Sequence, residues 1–231
     1  VENEQVPARN ARVHVFVDFW NFHLTLKKVD PDFSADFKAL GPILVDAASQ
    51  LVDGGVHAEY AGMGIYMSTN EKSEAEAGLR KWATQVVDRF PGVNVTMIPR
   101  VKEVSGPKCP QCHDVVHNCP ACGGDMRGTE EKGVDVRIAT DMIMLAWVDS
   151  YDIAVLVSSD SDFVPVASFL QTKGKKVIHG ALPPRGQLLS QKCWGSIDVI
   201  KLREKFRFVP KPKPGQAAAI KPIFSKAGTK Q

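Results

Sequence analysis

Residues 153–163 read IAVLVSSDSDF, and the placement of this stretch decides the fold. Five apolar residues run straight into two serines, two carboxylates and an aromatic ring. A short continuous apolar run of this kind is expected of a strand buried on both faces. Two negative charges two residues apart at its end are costly unless a cation or a proton sits among them. Either Asp160 and Asp162 belong to a metal site, or one of them only caps the next helix.

Outward from this strand the pattern repeats. VHVFV at 13–17, AEYAGMGIYMS at 58–68, VNVTMIP at 93–99, KKVIHGA at 175–181 and IDVIKL at 197–202 read as further strands. Helices are expected in the twenties, over 36–52 with the regular part from Gly41-Pro42, and over 71–90, 134–148 and 162–173, with a short one in GQLLSQKC at 186–193. Strands alternating with helices predict an α/β fold, a mainly parallel sheet in a three-layer sandwich, with ligands beyond the carboxyl ends of its strands. Asp18 directly follows VHVFV as Asp160 follows IAVLVSS. Were those strands neighbours, the two ends would lie roughly 5 Å apart, within reach of a shared cation. Asp135 follows Gly133 at a helix start, where the helix dipole would favour it in any case. Oxygen donors with no histidine among them suit Mg²⁺ or Mn²⁺, which can polarise a phosphodiester and activate water. Asn21 can orient a phosphate or merely cap a helix; Ser159 can donate to phosphate or to a turn; Lys132 is a candidate phosphate contact or a solvated charge.

Composition narrows the class. Of the 231 residues, 44% are hydrophobic and 24% charged, ordinary for a globular protein, and no apolar run approaches the ~18 residues of a membrane span. The net charge of +3 conceals a basic end: residues 201–231 hold nine Lys or Arg and one acid, Glu204. A Pro- and Lys-rich tail at 209–231 and a polar start at 1–10 are expected to be disordered.

KCPQCHDVVHNCPACGG, 108–124, spaces Cys109, Cys112, Cys119 and Cys122 as C-x2-C-x6-C-x2-C. Two such knuckles suit a tetrahedral Zn²⁺, structural because four protein ligands leave no open position. Reduced thiols at metal-site spacing predict a cytoplasmic protein. The insertion, residues 106–124, is expected to act as a flap beside the acidic site or to dock a protein partner.

The order VFVDFWNF, KGVDVRIATDM and VLVSSDSDFVPV followed by GKKV resembles the NYN domain, in the LabA-like branch of the PIN-like nucleases, over residues 12–202. The resemblance implies a PIN-like fold over 11–208 and Mg²⁺- or Mn²⁺-dependent hydrolysis of RNA, single-stranded by preference, to 5′-phosphate and 3′-hydroxyl ends. It further implies that Asp18, Asp135, Asp160 and Asp162 form the acidic cluster with Asn21 beside it. The cysteine insertion is not part of that family pattern. Two other classes stay open on the residues alone. One is a catalytically silent module of the same fold that binds RNA or protein. The other is a nucleotide-sugar transferase using Asp160-Ser-Asp162 as a DxD metal motif, which leaves Asp18 and Asp135 unexplained. Oligomeric state is not legible.

Overall fold

A computed structural model describes residues 10–52, 57–102, 105–127, 129–130 and 133–210. The expected disorder of the first residues and of the tail concerns residues 1–9 and 211–231, which lie outside the described residues, as does Lys132. In chain order the regular elements are β1 (Ala11–Asp18), α1 (Phe19–Val29), α2 (Phe37–Leu51), β2 (Ala58–Thr69), α3 (Ala77–Gln85), β3 (Val93–Pro99), β4 (Val101–Lys102), β5 (Thr129–Glu130), α4 (Val134–Trp147), β6 (Ile153–Val157), α5 (Val164–Thr172), β7 (Lys176–Ala181), α6 (Gln187–Lys192), β8 (Gly195–Asp198) and α7 (Val199–Leu202).

Six strands form one sheet in the order β3-β2-β1-β6-β7-β8, and every neighbouring pair is parallel. The fold is therefore the α/β sandwich expected from the alternation of elements. β1 and β6 are neighbours, with Val17 opposite Val157. From β1 the chain builds outward through β2 and β3, then returns to place β6, β7 and β8 on the other side, so the strand order reverses between β1 and β6. Crevices form at such reversals beyond the carboxyl ends of the strands. Asp18 and Asp160 stand at that edge.

Side-chain alternation assigns each strand to two cores. Val13, Val15 and Val17 point to one face, packed by Leu26 of α1, Leu40 and Leu44 of α2 and Ala83 of α3. Phe16 points to the other face, against Ile138 and Met142 of α4, Leu170 of α5 and Leu189 of α6. β6 is buried along its whole length, so apolar residues at consecutive positions are what its place requires. Each such Leu or Phe contributes about 1.5–3 kcal/mol relative to exposure. At the opposite end of the β1–β6 pair, the Arg12 guanidinium grips both Asp152 oxygens at 3.0 Å. That bidentate pair fixes the register of the two strands that carry the acids.

Several expected boundaries move. α2 starts at Phe37 rather than Gly41, because Asp36 caps it by accepting the Lys38 N–H at 2.9 Å; Pro42 sits inside the helix. The helix expected over 71–90 is broken into a 3₁₀ turn at Glu74–Glu76, α3, and a second turn at Val87–Arg89. Here Glu76 accepts the Asn70 N–H at 2.8 Å, so the segment serves a turn before it becomes helical. The last strand ends at Asp198, not 202, because the Asp198 carboxylate caps α7 by accepting the Lys201 N–H at 3.1 Å. Residues 161–163 form a 3₁₀ turn ahead of α5. Among the described residues no helix is long and apolar enough to cross a membrane.

Candidate active site

β1 runs directly into α1 with no intervening loop, and Asp18 is at once the last strand residue and the helix N-cap. Its Oδ1 accepts the Asn21 N–H at 3.2 Å. Its Oδ2 accepts the hydroxyl of Ser158 at 3.1 Å. Only 8% of Asp18 is exposed, so its charge is held by directed hydrogen bonds rather than by bulk water.

Ser158 is fully buried at the end of β6 and works in two directions. Besides donating to Asp18, its oxygen accepts the Asp160 N–H at 3.2 Å. Asn21 Oδ1 accepts the Ser159 N–H, also at 3.2 Å. The two strand ends are thus sewn together by Ser158 and Asn21. Beneath them lies His179 of β7, fully buried. Its Nε2 lies 2.7 Å from the Ser158 carbonyl and its Nδ1 2.7 Å from Ser190 Oγ. A carbonyl only accepts, so the proton sits on Nε2 and Nδ1 accepts from the Ser190 hydroxyl. Burial lowers the His179 pKa against the pull of that carbonyl. A neutral imidazole therefore props the acidic edge from below. Gly186, at φ 80°, passes so close that a Cβ would come within 3.0 Å of the His179 ring and 3.1 Å of Ser159 Cα. Neither the backbone angle nor the space admits a side chain there.

Asp135 reaches the same place from a third direction, in the first turn of α4. Asp18, Asp135 and Asp160 line one cleft of about 380 Å³ together with Trp20, Asn21, Leu24, Thr25, Lys28 and Arg185. Carboxylates separated by up to 142 positions in sequence (18 against 160) thus share one wall of space. Asp162 and Ser159 are not brought into that lining. Asp162 is exposed in the 3₁₀ turn, where its N–H donates to Asp160 Oδ1 at 2.9 Å. Ser159 acts on the cleft through its N–H to Asn21, while its own hydroxyl is buried without a hydrogen-bond partner among the described residues.

Leu24, Thr25, Lys28 and Arg185 of the cleft were not among the residues expected from the sequence, and Trp20, an aromatic beside a buried strand, reads there as core rather than as a base-stacking ring. Arg185 follows Pro184 in the loop after β7, and Lys28 lies on the outer face of α1; both are exposed. The signal for Arg185 was available, since the PPRG loop leaves the carboxyl end of a parallel strand. Trp20 is half-buried on the cleft wall. Its indole N–H donates to the Ser68 carbonyl at 2.8 Å, and the Arg100 guanidinium lies 5.4 Å from its ring centroid. Arg100 is itself tied to Glu76 at 2.5 Å. Ring and cation form a braced platform at the cleft edge.

The cysteine segment hangs on the two-stranded antiparallel stem of β4 and β5, and the chain enters α4 and Asp135 soon after that stem closes. Within it two turns repeat at an interval of ten residues. Lys108 bridges Val115 and Asn118 bridges Asp125; His113 (φ 60°) and Gly123 (φ 70°) occupy the left-handed position after each second cysteine. The N–H groups of Cys112 and Gln111 lower the Cys109 pKa, and those of Ala121 and Cys122 lower that of Cys119. Each knuckle is therefore shaped to hold thiolate. Among the described residues no three His, Cys, Asp or Glu side chains converge closely enough to enclose a metal ion, at the knuckles or in the acidic cleft.

Comparison with known proteins agrees with this architecture. The family model for the NYN domain matches residues 12–197. The chain belongs to the NYN domain family, within the PIN-like nuclease superfamily. Among solved structures, protein VPA0982 of unknown function from Vibrio parahaemolyticus RIMD 2210633 is similar in fold, with 18% identity and a TM-score of 0.53 over 88% of this chain and 99% of that one. A chain from a structural study of Sir2 enzymes aligns at 12% identity over 86% of this chain and 91% of that one, with a TM-score of 0.35. No curated protein matches the sequence.

Proposed function

We propose that the chain is a divalent-metal-dependent ribonuclease acting on single-stranded RNA in the cleft of Asp18, Asp135 and Asp160. The observation that carries the reading is the meeting of three carboxylates from β1, α4 and the β6 edge in one cleft that also presents Lys28 and Arg185. The donor set is all oxygen, which fits Mg²⁺ or Mn²⁺. Magnesium keeps several waters and takes only one or two protein carboxylates, so the lack of a closed three-ligand cluster is compatible with it. Asp18 and Asp160 would hold the ion, with Asp135 facing them. A divalent ion bound there supplies charge neutralisation at the phosphodiester and activation of a water molecule.

The chain's own groups do the rest. Ser158 and the Asn21 N–H orient the Asp18 oxygens, and the Asp162 N–H orients Asp160 Oδ1. With its Oδ1 engaged by Ser159, Asn21 turns its amide NH₂ to the cleft as a donor for a phosphate oxygen. Arg185 and Lys28 attract the RNA backbone, Arg185 with the planar fork that suits phosphate. The braced Trp20 ring offers a stacking face to an unpaired base, which a duplex would withhold. In the cysteine segment, two thiolate-favouring knuckles fit a structural Zn²⁺, held by Cys109, Cys112, Cys119 and Cys122 once the knuckles close on each other.

The test is cleavage of a labelled single-stranded RNA with Mn²⁺, Mg²⁺ or EDTA, alongside Asp160→Asn. Metal-dependent cutting that falls by at least ~100-fold in a folded Asp160→Asn protein, a barrier change of about 2.7 kcal/mol, supports the assignment. RNA binding without cutting under any metal would favour the silent module.

A further inference from the structure

α4 is apolar on two opposite faces. Val134, Ile138 and Met142 pack into the core. On the far side Val136, Ile143, Met144 and Trp147 recur at helical spacing and stay exposed, Trp147 at 86%. An ordinary surface helix carries polar residues there. Val148 (66% exposed) and Phe169 of α5 (43%) extend the stripe. Beside Trp147 runs a groove of about 220 Å³ whose lining includes Ile143, Ala146, Phe169 and Leu170. Of the charged groups at the rim, Lys175 and Arg12 both bind Asp149, at 2.7 and 3.0 Å, Arg137 binds Asp141 at 2.9 Å, and Lys173 of the groove lining lies 5.6 Å from the Phe169 ring centroid.

We infer that this face is the interface of a twofold homodimer, in which Trp147 of each copy fills the groove beside Trp147 of the other. Two observations select a second copy of the chain as the occupant. The first is area: the six exposed side chains leave on the order of 700 Å² of apolar surface in water, above what a monomer ordinarily exposes in one patch and close to the ~800 Å² each partner gives a standard interface. The second is self-complementarity. A projecting indole lies next to an apolar recess on the same surface, the arrangement a twofold needs, since each patch must supply both the knob and the hole. Tryptophan is also among the residues most often carrying the energy of an interface. Asp135 stands at the other end of α4, roughly 18 Å along the axis from Trp147. The inference does not rest on the nuclease reading.

Sedimentation velocity on the full chain over a hundred-fold concentration range, with Trp147→Ser and Met144→Glu in parallel, tests it. The expected result is a dimer of twice the chain mass with Kd at or below ~10 µM, weakened at least about tenfold in either variant. Thermal melts and circular dichroism show whether each variant is folded; Met144→Glu carries the test should Trp147→Ser fail to fold. A wild-type chain that stays monomeric up to ~100 µM, or a dimer that survives both substitutions unchanged, overturns the inference.

Discussion

Ser158→Ala removes one oxygen and tests the mechanical basis of the acidic edge. In the intact protein that buried oxygen donates to Asp18 Oδ2 at 3.1 Å and accepts the Asp160 N–H at 3.2 Å. The first bond is to a carboxylate, worth about 1.5–3 kcal/mol, and the second is neutral, worth about 0.5–1.5 kcal/mol. Loss of both should cost about 2–4 kcal/mol, less where water reaches the half-buried Asp160. A domain of this size melts about 2–4 °C lower per kcal/mol, so the expected shift is a fall of roughly 5–15 °C, measured in EDTA so that bound metal does not mask it. The second reading is functional. With both carboxylates released from their common anchor, RNA cleavage should drop by about 10–100-fold while every acidic residue is still present. A Ser158→Ala protein that melts within ~1 °C of wild type and cuts at the wild-type rate would refute the account of the edge given above.

Three further outcomes are expected. Arg185→Gln should weaken RNA binding and reduce the slope of log affinity against log salt by about 0.7, the loss of one phosphate contact on a single strand; equilibrium titrations at several salt concentrations measure it. The purified chain should carry about one zinc by elemental analysis, and Cys112→Ser should lose it while the thermal melt of the main domain is retained, because the knuckles lie outside the sheet and its cores. His14, half-buried against Phe16 and Tyr151, has its pKa lowered to about 4 by desolvation, which Asp141 only partly offsets. Above its ordinary value both folded and unfolded chains hold it neutral. As pH falls from about 6.5 to about 4 the unfolded chain takes up a proton that the folded one refuses, so stability falls by on the order of 3 kcal/mol. His14→Gln should flatten that limb in denaturant titrations at stepped pH.

The sheet was legible because burial on both faces leaves a sequence mark: VHVFV and IAVLV could hardly be placed elsewhere than in its centre. Adjacency of their ends was only a condition in the sequence reading; the pairing of β1 with β6 is what brings Asp18 and Asp160 to one edge. What stayed hidden depends on contacts between distant residues. Asp162 looks equivalent to Asp160 in SSDSDF, yet in the 3₁₀ turn its N–H is spent on Asp160 and the residue is exposed, outside the cleft lining. Trp20 reads as core beside a strand until Ser68 and Arg100 brace it at the cleft wall. Arg185 is 25 residues beyond Asp160 and enters the cleft only because β7 lies next to β6. Periodicity marks which way a residue faces, and says nothing of which other residue it meets there. Over 134–148 the sequence predicts a helix, while its second apolar face stays hidden, since a stripe there counts toward the same periodicity.

The position of β1 has a consequence for the life of the chain. Its end carries Asp18, but the strand that completes its edge, β6, is translated about 140 residues later, as the Ser158–Asp18 bond records. At 5–20 residues per second, synthesis needs roughly seven to thirty seconds to cover that distance. β1, β2 and β3 can pair in the meantime, since they are contiguous in the sheet and early in the sequence. The acidic edge cannot. A nascent chain therefore carries, for that interval, a half-built domain with its first aspartate in place and its cleft absent until β6 has emerged.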